Sequence, residues 1–171
     1  MIQGNRASLS IRSDTKTVAE ISAMLGLEPT DWGDKGDLTP AGRAGRNYAP
    51  ELLTHQRTFW SLTESVDEPS AHDQTGFSAL RALVVRLEPN AQALMELRQG
   101  GETTLWWSGD SDSTQGGFVL EADLIRYLAK LGCDVFGTAY LAEDDDEDGD
   151  EDEMDGDVVE FRIGNTSGGS K

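Results

Sequence analysis

The chain reads as an α+β fold, a two-layer sandwich with helices on one side of a sheet, and three observations predict it. Stretches that alternate apolar and polar residues recur between stretches with apolar residues at helical spacing. Each helical stretch carries a single apolar stripe, so each needs one sheet face to cover. Twelve carboxylates in the fifteen positions from Glu143 to Asp157 carry most of the formal charge of −18. The residues before them therefore have the composition of an ordinary domain.

Ala7 to Arg12 opens the pattern, with Leu9 and Ile11 alternating against Ser8, Ser10 and Arg12, the period of a half-buried strand. A helix follows, because Thr17 and Glu20 form a capping box, Val18, Ile21, Met24 and Leu25 form a stripe, and Gly26 then Leu27 make a left-handed stop. Pro29 forbids continuation. Thr30 to Gln56 is rich in Gly, Asp, Pro and Arg and has no apolar period, so a long loop is expected there, the first place to look for a site. Thr58 to Thr63 is the second strand, with Phe59 and Trp60 on opposite faces.

Phe77, Leu80, Leu83, Val84 and Leu87 then fall at helical spacing, and Pro89 breaks the helix and opens a second segment with Ala91, Leu94, Met95 and Leu97. Gly100 and Gly101 stop it, and Thr103 to Ser108 is the third strand. Leu124, Tyr127, Leu128 and Leu131 mark a third amphipathic helix, entered near Leu120 and ended by Gly132. Cys133 to Leu141 is the fourth strand, with Phe136 and Tyr140 on one face and Cys133, Val135 and Ala139 on the other. The order favours a ferredoxin-like plait of four or five strands with about three helices.

Three regions follow. Residues 1–142 form a single α/β domain, 143–157 a disordered acidic run, and 158–171 an edge strand at Val158 to Ile163 with a flexible tail. Without the twelve carboxylates of the run the net charge is −6, unremarkable for a domain. A single cysteine, Cys133, cannot form an intramolecular bridge, and the N-terminus lacks the layout of a signal peptide, so a reducing cytoplasm is expected. No apolar stretch spans a bilayer, and the negative charge opposes anionic headgroups. Nucleic acid is disfavoured too, since the densest basic patch, Arg43 to Arg57, holds three arginines.

Two clusters, LGLEPT at Leu25 to Thr30 with KGD at Lys35 to Asp37, and GGFVL at Gly116 to Leu120 leading into LAKLGCDV at Leu128 to Val135, carry a resemblance. Over residues 7–141 the chain resembles the bacterial family called domain of unknown function 4279. That resemblance implies a small cytoplasmic α/β domain in which the helix stop and the KGD loop are shared features. It implies no particular activity.

The candidate chemistry is sparse. In the acidic run Asp144, Asp146, Asp148, Asp150, Asp152 and Asp155 fall at calcium-loop offsets, with Gly149 at the sixth position. However, Asp155 stands where a bidentate Glu is usual, Glu151 where an apolar residue is usual, and no amphipathic helices flank the run. A solvated tail, or weak divalent cation binding, is the plainer expectation, and no other cofactor is expected.

Trp32, Lys35 and Asp37 share a glycine-rich stretch whose Lys precedes Gly-Asp, unlike a phosphate loop. A tight turn with Trp32 packed down and Lys35 paired to an Asp is one reading, and contact with a small ligand or a partner is the other. His55 and His72 lie in polar stretches with no nucleophile at a recognised spacing. Cys133 follows a glycine stop at a strand start and is expected as a small core hydrophobe.

Trp106 and Trp107 are neighbours on a strand and must face opposite ways, one into the core and one onto the other sheet face. The second needs a cover, from a loop, a partner or a ligand; core or loop packing is the plainer reading, and an exposed aromatic patch with Trp60 is the other. The expected function is a non-catalytic module that binds another protein, a basic one, through this face and the loop from Asp31 to Arg46, with the acidic run steering encounter. By analogy, an inhibitor or immunity role against a basic toxin or nuclease would suit such a domain. The alternatives are a small-ligand receptor or enzyme using Lys35, Asp37 and His55, and divalent cation binding by the acidic run.

Overall fold

A computed structural model describes residues 2–67, 75–111 and 119–141. The elements in chain order are β1 (Ile2–Ser13), α1 (Val18–Leu25), β2 (Asp31–Gly33), α2 (Pro40–Arg43), α3 (Pro50–Leu53), β3 (Thr58–Val66), α4 (Ser78–Leu87), a 3₁₀ turn (Glu88–Asn90), α5 (Ala91–Gln99), β4 (Gly101–Ser111), α6 (Ala122–Leu131) and β5 (Asp134–Leu141). The acidic run, Val158 to Ile163 and the remaining tail lie outside the described residues.

One five-stranded sheet has the order β2-β3-β1-β4-β5. Every neighbouring pair is antiparallel except β4 and β5, which run parallel and are joined through α6. The four strands β2-β3-β1-β4, with α1 and the α4–α5 pair as crossovers, have the order and directions of a ferredoxin-like plait. The unit α6–β5 is added outside β4. The fold is therefore α+β, in two layers.

Thr30 to Gln56 is not the unstructured loop expected. Asp31–Gly33 pairs with β3, Trp32 opposite Trp60. Thr39 caps α2, its hydroxyl accepting from the Gly42 amide at 3.2 Å with Pro40 in the first turn. Leu38 and Thr54 form a bridge, and His55 exchanges backbone bonds of 2.8 Å with Gly36 and Asp37. Each of these elements is only three or four residues long. None leaves an apolar period in the sequence.

Helices α1, α4, α5 and α6 cover one face. Thr17 and Glu20 form the capping box of α1, and Gly26 and Gly132 end α1 and α6 at φ of 60° and 65°, a left-handed conformation that glycine adopts without a Cβ clash. Leu9, Ile11, Trp60, Leu62, Leu105 and Trp107 from the sheet pack against Ile21, Leu25, Leu80, Leu83, Val84, Leu87, Leu94, Leu97, Leu124, Leu128 and Leu131 from the helices. Pro89 breaks α4 from α5 through the 3₁₀ turn, as its ring requires. Met95, expected on the apolar stripe of α5, is exposed, because the core-facing ridge is Leu94 and Leu97.

Buried Asn5 ties the central strand to α4. Its Oδ1 accepts from the Ala79 amide at 2.8 Å and its Nδ2 donates to Ser78 Oγ at 3.0 Å. This satisfies donors at a helix start that has no capping side chain of its own.

Candidate functional site

Side-chain alternation sorts the four tryptophans. Trp60 and Trp107 point into the helix-covered core, where Trp60 Nε1 donates to Ser22 Oγ at 3.0 Å and Trp107 Nε1 to the Gly76 carbonyl at 3.1 Å. Buried indoles need such partners for their N–H. Trp60 therefore belongs to the core and not to an exposed patch. Trp106 lies on the opposite face.

That opposite face is flanked by α2 and α3 only at its β3 end, and at β4 and β5 it carries a cluster of exposed aromatics. Trp106 on β4 is the register partner of Phe136 on β5, and their rings stack at 4.9 Å between centroids. Trp106, Phe136 and Tyr140 are 49%, 51% and 57% exposed, although all three stand on regular strands. Around them the strand positions are small and polar, with Ser8, Ser10, Thr104, Ser108 and Thr138. A groove of about 370 Å³ runs from Trp106 across Ser10 and Thr104 to Phe59, edged by Arg12 and Glu102.

The far side of this face is built by the chain that returns from α3. His55 packs on β2 at Gly33, where a Cβ would come to 2.5 Å from the imidazole and would have to displace it. The imidazole is parallel to the Phe59 ring at 6.3 Å, and the Arg12 guanidinium stands 5.9 Å over the same ring. Arg57 locks this corner, pairing with Asp14 at 3.1 Å and Glu102 at 3.4 Å and donating to the Arg12 carbonyl at 3.1 Å. A second hollow of about 490 Å³ lies between His55, Phe59, Leu52 and Arg57.

A different cleft, of about 950 Å³, opens on the helix side between α1 and β2. Trp32 sits there, pairs with Trp60 across the strands, and is 56% exposed, so it does not pack down. The KGD turn beside it is held by its own carboxylates. Asp34 Oδ1 accepts from the Val18 amide at 2.8 Å, and Asp37 Oδ2 accepts from the Asp34 amide at 3.0 Å. Lys35 is exposed and forms no ion pair among the described residues. Asp37 thus closes the KGD turn, and Asp34 ties that turn to the first amide of α1. Nothing in the glycine-rich stretch reproduces a phosphate cradle.

The family model described as domain of unknown function (DUF4279) matches residues 3–140. The chain belongs to that family. No curated protein and no solved structure matches the chain. The match covers the whole described DUF4279 domain and stops short of the acidic run.

Within the DUF4279 domain the candidate residues fall into two separate places. Trp106 stands on the open face, whereas Trp32 and Asp37 line the helix-side cleft across the sheet edge, and Lys35 lies in the turn beside them. Of the loop from Asp31 to Arg46, Asp31, Thr39 and Pro40 reach the open-face hollow beside His55 and Phe59, while Trp32 and Asp37 line the cleft on the helix side. His72 and the carboxylates Asp144 to Asp155 lie outside the described residues. Among the described residues no cluster of three or more metal-ligating side chains occurs.

His55 Nε2 is buried without a hydrogen-bond partner, and no hydroxyl, thiol or carboxylate side chain bonds the imidazole among the described residues. Cys133 packs against the core with Sγ 3.6 Å from the Leu131 carbonyl, and burial pushes its thiol up to about 11. A thiol so disposed is not an activated nucleophile. Phe136 and Tyr140 were legible as the face opposite Val135, but their meeting with Trp106 depends on the β4–β5 register.

Proposed function

We propose that the protein is a non-catalytic binding module that captures another protein on the open face of its sheet. The observation that carries this reading is the exposed stack of Trp106 on Phe136, continued by Tyr140. Rigid aromatics on strands contribute large contact area at low entropic cost, and they concentrate at interface centres. Small hydroxyl residues around them leave the backbone accessible and supply adaptable hydrogen bonds. Arg12, Glu102 and Arg57 form the polar rim that interfaces commonly have.

The net charge of −18 selects a basic partner, because long-range attraction raises the encounter rate with a positive surface. An inhibitor-like or immunity-like role is one form of such capture. The test is affinity capture with the intact chain from a lysate of the source organism, at low and high salt, beside the Trp106→Ala, Phe136→Ser double variant. The reading expects one stoichiometric basic protein, released by salt and lost from the variant. A protein retained equally by the variant would refute the assignment of this face.

A further inference from the structure

We propose that two copies of this chain join edge to edge through β5, antiparallel about a two-fold axis at Thr138, to form one continuous ten-stranded sheet. This goes beyond the capture of a partner and does not depend on it. β5 is the outermost strand, and among the described residues its outer backbone edge pairs with nothing. It runs eight residues, from Asp134 to Leu141, and from Val135 onward carries no charge. Protein edges are normally blunted by charge, proline, a bulge or a cover, and among the described residues β5 has a charge only at its first position, Asp134, and none of these from Val135 to Leu141. The opposite edge, β2, is only three residues long and contains Asp31. Only β5 offers a ladder long enough to pair with itself.

The choice of a second copy rests on self-complementarity. With Thr138 opposite its own symmetry mate, Phe136 faces Tyr140 of the other copy, and the reverse pair is made at the same time. Cross-strand aromatic pairs of this kind stabilise sheets. Each Trp106–Phe136 stack is thereby extended by the other copy's Tyr140, and the two open faces merge.

The helix layer carries an independent sign. On α6 the flank toward α4 is polar, with Asp123 pairing to Arg81 at 2.8 Å and Lys130 to Glu88 at 3.3 Å. The flank turned away from α4 carries Ala122, Ile125 and Ala129 at helical spacing. All three are exposed, Ile125 by 48%. An apolar flank beside an open strand edge is what α6 would present to α6 of a second copy, as an isologous interface requires.

Charge fixes the direction. The acidic run starts at Glu143, just past β5. Antiparallel pairing about Thr138 sends the two chains out at opposite ends, with the Leu141 positions roughly 20 Å apart at about 3.4 Å per residue. That is more than two Debye lengths at roughly 0.15 M salt, so the points from which the two runs leave the sheet are screened from each other. A parallel arrangement would bring them together.

The test is the mass of the full chain by sedimentation equilibrium across the micromolar range, with a cross-linking variant beside it. The expected mass is twice the 18.5 kDa of one chain. Thr138→Lys with Ile125→Glu, both exposed positions, is expected to give a folded monomer by circular dichroism. On a Cys133→Ser background, Thr138→Cys is expected to oxidise to a covalent dimer, since opposed antiparallel residues lie about 4.5–5.5 Å apart at Cα, within disulfide reach. Gln92→Cys on α5 is the exposed control. A monomer for the wild type at every concentration, a dimer that survives the double substitution, or cross-linking no faster than the control would each overturn the proposal.

Discussion

Trp106 and Trp107 are adjacent in the chain, identical in chemistry and opposite in circumstance. Trp107 is enclosed between β4 and α4, tilted against Phe77 at 4.6 Å with its N–H bonded to a carbonyl. Among the described residues Trp106 has one ring neighbour, Phe136, and it is half exposed. Under the helices Trp60 and Trp107 serve cohesion, and their indole N–H groups are satisfied inside the protein. The open face spends comparable apolar surface on nothing within the described residues. Exposed aromatic area of that kind, on a regular sheet, is the observation on which the proposed contact surface rests.

The sharpest way to break this contrast is truncation on each face. Trp60→Ala should destabilise the domain by about 3–5 kcal/mol, because a large buried side chain is replaced by a cavity and Ser22 loses its partner. Trp106→Ala should cost no more than about 1 kcal/mol, since the site is half solvated already. Chemical denaturation of the two variants checks both, and equal losses would mean that the faces do not differ as described.

A smaller effect is expected at Asn5, whose side chain is buried and holds the start of α4. Asn5→Ala leaves the Ala79 amide without an acceptor and should cost about 1–3 kcal/mol. Thr17→Ala removes the cap of α1 at the edge of the Trp32 cleft and should cost about 1 kcal/mol. Neither should alter capture by the Trp106 face, which separates stability from binding.

The smallest effect is a pH dependence confined to the helix side. Backbone and side-chain bonds from Thr17 hold the Glu20 carboxyl below its ordinary value of 4.5, and the Arg81 hydrogen bond holds Asp123 below 3.8. Both groups are depressed in the folded state. Their contribution is therefore present above the ordinary carboxyl range and is lost as acid carries the pH down through the folded values. Denaturation midpoints measured from neutral pH into that range should fall less steeply in Glu20→Gln and Asp123→Asn than in the parent.

Much of the helix-covered face was legible in the sequence. The alternation of Leu9 and Ile11, the Thr17–Glu20 box, the Gly26 and Gly132 stops and the break at Pro89 are local signals, and each lies where it was expected. β2 was not legible, because three residues make a strand only by pairing with Trp60 and its neighbours on β3. The role of Asn5 was hidden for a related reason, since its acceptor bond reaches 74 residues along the chain. Parity showed that Trp106 and Trp107 must differ, but not which was buried. That choice needed the parallel register with β5 and the position of Phe77. Trp60 was read toward an aromatic patch and lies in the core, because α1 folds across the face of β3 that it occupies.

The claim that the open face is the contact surface is tested most directly by the four indole N–H resonances of the intact chain during titration with the captured protein. The account predicts that Trp106 shifts or broadens at stoichiometric addition while Trp60 and Trp107 stay fixed. Movement of Trp32 with Trp106 unchanged would place the contact in the cleft between α1 and β2 and would contradict it.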